Sequence, residues 1–199
     1  MKIILASASP RRRELMDVLE LPYEVIPSTK EEVITSTIPA DVVKELSFIK
    51  AEDVAQKAVL KTENSEEELA LVIGADTVVA CDNEILGKPK NEENAKEMLR
   101  KLAGRSHSVF TGIALLWIKD GKIAKTVNKA VETKVLVEAM SEEEIAAYVA
   151  TGEPMDKAGA YAIQGKFAPY IRGIEGDYYN VVGFPICTVR KEIRKEVEI

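Results

Sequence analysis

The chain has 199 residues, 46% hydrophobic and 30% charged, with 11 Gly, 8 Pro and 2 Cys; this balance excludes disordered, fibrous and disulfide-scaffolded classes and is enough to bury a substantial core. Its formal net charge of −6 argues against a general nucleic-acid binder or a protein held on anionic membranes by charge. Cys81 and Cys187 lack CxxC spacing and His107 is the sole histidine, so no zinc framework is expected and the cysteines read as reduced, cytoplasmic thiols.

Lys2 to Ala6 reads as a short buried strand, and the apolar start Lys2 to Ala8 is too short for a signal segment. Ser9-Pro10 then marks a helix start, with Leu15, Val18 and Leu19 as its apolar stripe and an end near Glu20. Tyr23 to Ile26 suits a second strand, and a long helix is expected over Asp41 to Leu60. The polar stretch Thr62 to Glu68 reads as a solvated loop before Leu69 to Gly74, a buried strand by composition. Asn91 caps a third helix with Ala95, Met98, Leu99 and Leu102 on one face and Gly104 past its end. Two extended segments, His107 to Ile118 and Ile123 to Val137, flank the turn dipeptide Asp120-Gly121. Ser141 to Glu144 is a capping box opening a helix to about Ala150, broken by Gly152 and Pro154. A loop-rich stretch, Glu153 to Gly183, precedes a C-terminal helix from near Pro185 with Ile186, Val189 and Ile193. No repeat or linker interrupts the chain, so the expectation is one α/β domain over residues 1–199 with a central mixed, twisted sheet flanked by helices.

Chemistry concentrates at a few points. Arg11, Arg12 and Arg13 fall in the first helical turn, where the helix dipole disfavours cations. With Ser7-Ala8-Ser9 and the free amides of a helix start they describe a phosphate cradle, although the loop lacks the glycines of a Walker loop. Asp76 interrupts an apolar run, where an unpaired buried carboxylate is costly. A metal, a lysine, a catalytic water or turn amides would each satisfy it. Lys50 sits on the apolar stripe of its helix between Leu46 and Val54, a position from which a lysine snorkels unless an anion lies nearby. Glu32 follows a strand, Lys88 lies in the tight Gly87-Lys88-Pro89 loop, and Glu153 to Gly165 gathers Asp156, Lys157, Gln164 and two glycines between helix and strand. His107 reads as a strand-start residue rather than a triad member.

Five ordered blocks, spanning almost the whole chain, carry a resemblance. Leu5 to Leu15, Gly74 to Val79 with Gly87 to Pro89, Leu102 to Val109, Glu153 to Gly165 and Gly176 to Pro185 resemble the signature blocks of the Maf nucleoside triphosphate pyrophosphatases. Ala162 stands where the usual block has Gly, and Phe184 where Leu is frequent.

The resemblance implies the Maf or inosine triphosphatase-like fold. It also implies hydrolysis of a nucleoside triphosphate between its α and β phosphates, to monophosphate and pyrophosphate, with a divalent metal cation such as Mg²⁺ or Mn²⁺. By motif position Asp76 matches the catalytic proton acceptor. Ser7, Arg11, Arg12, Glu32, Lys50, Lys88 and Asp156 match the other polar site positions. Glu32, Asp76 and Asp156 supply the oxygen ligands that such an ion prefers. Arg11, Thr77 and Gln164 look like the subfamily acting on dTTP, UTP and modified uridine triphosphates, in a house-cleaning role, with Gln164 able to donate to and accept from a pyrimidine edge. The alternatives are a 7-methyl-GTP pyrophosphatase and a nucleotide-binding regulator of cell division, the latter from the family's association with septum formation. The expected partner is the nucleotide, without nucleic acid or membrane; a homodimer stays open.

Overall fold

A computed structural model describes residues 1–57 and 69–196, with the backbone of one helix continued to Thr62. Its strands are β1 (Lys2–Leu5), β2 (Glu24–Val25), β3 (Leu69–Cys81), β4 (Glu84–Leu86), β5 (Ser106–Lys119), β6 (Lys122–Val137) and β7 (Ile171–Glu175). They form one mixed sheet in the order β2-β1-β3-β5-β6-β7, with β4 paired on β3. The helices are α1 (Pro10–Asp17), α2 (Pro39–Thr62), α3 (Glu92–Leu102), α4 (Glu142–Val149), α5 (Tyr178–Val182) and α6 (Ile186–Arg194). β1 runs parallel to both β2 and β3 because α1 and α2 supply the crossovers, whereas the remaining pairs are antiparallel. The two tight hairpins turn on Asp82-Asn83 and Asp120-Gly121, all with positive φ. This is the mixed α/β sheet expected.

Period-two alternation gives the sheet two buried faces. Leu71, Ile73 and Ala75 of β3 and Ile113, Leu115 and Trp117 of β5 pack under Leu15, Met16, Val189 and Ile193 of α1 and α6. Ala70, Val72, Ala114 and Leu116 pack under Ala51, Val54 and Ala55 of α2. Each fully buried Leu, Ile or Val contributes about 1.5–3 kcal/mol of transfer free energy. Glycines let α2 lie directly on the strands: a Cβ on Gly74 would stand 2.2 Å from the Ser47 carbonyl oxygen, and one on Gly112 1.9 Å from that of Val43. That close approach brings Lys50 of α2 within reach of Asp76 on β3. A third apolar cluster joins α3 and α4 to Val79, Val109, Tyr161 and Phe167 beyond the sheet's end.

Three expectations differ from what forms. α1 ends at Asp17, not Glu20, because the chain turns through the hydrogen bonds Leu19 N to Met16 O and Glu20 N to Asp17 O. The helical period therefore lapses: Val18 is 60% exposed and Met16 is buried in its place. β3 runs on through Asp76 to Cys81, its ladder with β5 continuing to Ala80 opposite Ser108. Within the stretch read as loop-rich, β7 closes the sheet edge and Asp177 caps α5, accepting from Tyr179 N at 2.8 Å and Asn180 N at 3.3 Å. Of the polar stretch read as a loop before β3, residues 63–68 lie outside the described residues. No helix among the described residues is long and apolar enough to cross a membrane.

Candidate active site

A cavity of about 510 Å³ opens beyond the carboxyl end of β1, where sites of α/β sheets gather. Its walls are the β1–α1 turn from Ala6 to Arg12, Lys50, Asp76, Thr77, Lys88, Asp156 to Ala158, Ala162 to Gln164, and Val181 to Gly183. Asp76 and Thr77 are consecutive on β3 and so point to opposite faces, which splits the polar machinery in two.

On the α2 face, Lys50 ion-pairs with Asp76 and, at 3.1 Å, with Glu32. Only 17% of the Lys50 side chain and 16% of the Asp76 side chain are exposed. The buried carboxylate thus has a lysine for its partner, and the stripe lysine is held in the fold by two acids instead of snorkelling. The loop carrying Glu32 is fastened to α2. Ser28 Oγ and Thr29 N donate to Asp53 at 2.8 and 2.9 Å, and Thr35 N and Oγ1 donate to Glu45 at 2.8 and 2.6 Å. Lys57, followed by Thr29 and Ser28, holds the Asp53 carboxyl down at about 2, so this clasp is ionised at neutral pH.

On the opposite face, Arg12 donates from Nε to the Gly183 carbonyl at 2.9 Å, from Nη1 to Ser7 Oγ at 3.2 Å and from Nη2 to Thr77 Oγ1 at 3.2 Å. Thr111 spends its proton on the Asn180 carbonyl at 2.8 Å. Thr77 therefore donates to Thr111 across their 2.9 Å contact and accepts from Arg12. All three Arg12 acceptors are neutral oxygens. Burial, followed by the neighbouring Arg11 charge, pushes the Arg12 guanidinium down from its ordinary value while Asp76 acts the other way. A guanidinium keeps its proton regardless, leaving its positive charge without a hydrogen-bonded carboxylate. Arg11 lines the cavity; Arg13 turns out, donating to the Ala8 carbonyl at 2.9 Å.

The far wall carries Lys88, exposed, on a loop tied to the Asp156 segment by Gly159 N donating to the Gly87 carbonyl at 3.0 Å. Asp156 pairs with Lys157, which holds its carboxyl below the ordinary range. The acid is 71% exposed and the lysine only 14%. Lys157 is the cavity cation to which sequence reasoning gave no role; its place in the dense Glu153 to Gly165 segment was the available signal. Glu153 accepts from Lys166 N at 3.0 and 3.1 Å and from Tyr148 OH at 3.0 Å, bracing the loop that sets Gln164 on the rim. The structure brings Glu32 to Asp76 through Lys50, whereas Asp156 stands with Lys157. Among the described residues no three metal-ligating side chains converge. His107 is buried against Tyr161 OH at 2.7 Å, and burial lowers its pKa to about 4, so it is neutral at pH 7.

The fold is an α/β arrangement of the kind seen in Ham1 proteins. Across 99% of this chain and 100% of the other, it superposes on the HAM1 protein from Coxiella burnetii with a TM-score of 0.51 at 16% identity. The Staphylococcus aureus Ham1 protein gives a TM-score of 0.50 at 15% identity over the same shares. The chain belongs to the Maf family: the model of Maf-like protein matches residues 2–196. It is 49% identical over 199 residues to the dTTP/UTP pyrophosphatase of Agathobacter rectalis, covering 98% of this chain and 97% of that protein. It is 48% identical to the protein of the same name from Thermoanaerobacter sp. (strain X514), covering 100% and 98%. The dTTP/UTP pyrophosphatase of Bacillus mycoides is 46% identical, with 98% and 95% covered.

Proposed function

We propose that this chain hydrolyses dTTP and UTP, with modified uridine triphosphates, to the nucleoside monophosphate and pyrophosphate. The observation that carries the reading is Arg12: a cation locked by three neutral oxygens, its charge unspent, in a cavity it shares with Asp76. The names of relatives 46–49% identical over nearly their whole length supply the nucleotide class.

In the free protein Lys50 holds one oxygen of Asp76, and the other has no hydrogen-bond partner among the described residues. That oxygen takes a proton from the attacking water as the water oxygen bonds to the α-phosphorus. The bond from this phosphorus to the α–β bridging oxygen breaks, and pyrophosphate leaves. Arg11, Arg12, Lys88 and the first amides of α1 take the phosphate oxygens, neutralising charge as it shifts to the leaving group. Ser7 and Thr77 serve by holding Arg12 in register. Gln164, on the rim with an amide unpaired among the described residues, reads the pyrimidine edge.

The donor chemistry fits a divalent cation of the Mg²⁺ kind, which takes one or two carboxylates and completes its shell with phosphate oxygens and water. Asp76 and Glu32, already converging on one cation, would hold it, whereas Asp156 is paired with Lys157. Bound there, it supplies charge neutralisation on the phosphates. The charges agree: Arg11, Arg12, Lys50, Lys88 and Lys157 against Glu32, Asp76 and Asp156 leave two positive charges, while a triphosphate with about four negative charges and one divalent cation brings about two negative.

A panel of dTTP, UTP and 7-methyl-GTP with product identification tests the reading. Monophosphate and pyrophosphate from the first two are expected. Preference for the methylated purine, or orthophosphate as the product, would overturn it.

A further inference from the structure

We propose that the Lys50 ammonium occupies the divalent-cation position of the free protein and has to move onto nucleotide phosphate before a metal is retained, so that metal binds only together with nucleotide. This rests on the hydrolase reading above. Lys50 Nζ lies between carboxylates from two separate elements, Asp76 on β3 and, at 3.1 Å, Glu32 on the loop before α2. Neither acid has another side-chain partner among the described residues.

The gap is built, since the Asp53 and Glu45 clasps fix the loop that brings Glu32 to Lys50, and Gly74 and Gly112 set the height of α2 above β3. One ammonium between two carboxylates, the ammonium and Asp76 largely buried, does electrostatically what a hard divalent cation would do there. It also has the advantage of being tethered, with an effective concentration in the millimolar range or above. A metal arriving alone must expel it and leave a largely buried charge unpaired. A triphosphate changes this, because Lys50 lines the same cavity as Arg11 and Arg12 and its flexible stem can follow the new anion. If the free slot is closed by Lys50 nine-tenths of the time or more, the apparent metal affinity is lowered about tenfold or more.

Mn²⁺ binding to nucleotide-free protein, read from the electron paramagnetic resonance of free Mn²⁺, is the direct test. Lys50→Met is expected to bind Mn²⁺ at least about tenfold tighter than wild type, while Lys50→Arg stays as weak as wild type. Equal affinity in Lys50→Met and wild type, both shown folded by thermal melting, would overturn the proposal. A measurement on the unaltered protein keeps it open to refutation should the methionine variant not fold. With ¹⁵N-lysine label, the Lys50 ammonium resonance is expected to move on adding α,β-imido-dUTP in EDTA and to stay put on adding Mg²⁺ alone. Displacement by Mg²⁺ alone would sink it. Both readouts are of binding. A gain of Mn²⁺ affinity in Lys50→Met together with no dTTP or UTP hydrolysis by the wild-type protein would remove the hydrolase reading and leave the competition standing, and the converse result would do the reverse.

Discussion

Two arginines show how the molecule divides its charge. On the outer surface joining α3 and α4, Arg100 donates to both oxygens of Glu142 at 2.8–3.0 Å and to Glu93 at 3.2 Å. Those carboxylates, Glu142 foremost, raise its pKa. Nearby, Arg105 is paired with Asp82 and Lys101 with Glu84. In the cavity Arg12 is held by three hydrogen bonds, all to neutral oxygens, and burial lowers its pKa. Hydrogen bonding is satisfied in both places, but only the cavity cation keeps its charge for a ligand. His107 marks the third outcome: with neither a carboxylate nor a ligand, the buried imidazole stays neutral.

The hardest way to break this contrast is to remove the acid beside the unspent cation. Asp76→Asn keeps the shape of the side chain but cannot take the water's proton, and kcat for pyrophosphate release should fall about 10²- to 10⁴-fold with Tm nearly unchanged. Turnover near wild type would show that the base lies elsewhere. Arg12→Ala should lower kcat/KM about 10²- to 10³-fold, the range for loss of one preorganised donor to developing charge. Arg12→Lys should recover little, because one ammonium cannot reach Gly183, Ser7 and Thr77 together. Arg100→Ala, measured alongside, is expected to leave kcat/KM at the wild-type value. If Arg12 and Arg100 variants behave alike, the distinction between spent and unspent charge fails.

Much of this was legible in the chain because local signals agreed with the fold. Asn91, Ser141 and Gly104 stood at helix ends and Asp120-Gly121 made a hairpin, each a short-range choice that the tertiary structure did not override. Residue type and order marked the Ser7 to Arg12 turn, and the resemblance added Asp76, Lys50 and Lys88, which line the same cavity. The pairings were not. That Lys50 bridges Asp76 and Glu32 depends on two glycines with negative φ letting α2 settle onto β3, a spatial requirement without local sequence expression. The same holds for Thr77, whose hydroxyl is committed to Arg12 and Thr111, a pairing that only the β3–β5 register, Thr77 opposite Thr111, makes visible. β7 and the five-residue α5 were missed because elements that short carry too few residues for a periodicity.

His107 sharpens the comparison through pH. Its folded pKa is about 4 against an ordinary value of about 6.5. The unfolded chain therefore binds the proton first as pH falls. The stability that rests on a neutral imidazole is complete above about pH 6.5 and is lost progressively down to about pH 4, by about 3 kcal/mol in all. Urea unfolding of wild type and His107→Phe at neutral and acid pH separates this from other acid effects. The variant loses the Tyr161 hydrogen bond at every pH, so only the difference in slope reports the titration. Parallel slopes would mean that the buried imidazole does not resist protonation.

The smallest effect is expected at the cavity rim. Gln164 is exposed and makes no hydrogen bond among the described residues, while its loop is braced from behind by Glu153 on Lys166 N. Gln164→Glu should therefore leave Tm unchanged. The substitution keeps the shape but replaces the donating NH₂ with an acceptor, so a pyrimidine carbonyl that accepted a hydrogen bond meets negative charge instead. One net hydrogen bond at a solvated position is worth about 0.5–1.5 kcal/mol, so kcat/KM for dTTP and UTP should fall about two- to tenfold. The value for 7-methyl-GTP, which presents a different edge, should change less. The ratio of kcat/KM values across the three nucleotides is the measurement, because a general loss of phosphate binding would lower all three together. An unchanged ratio would show that base selection is set elsewhere than at Gln164 and confine its role to the solvent side of the rim.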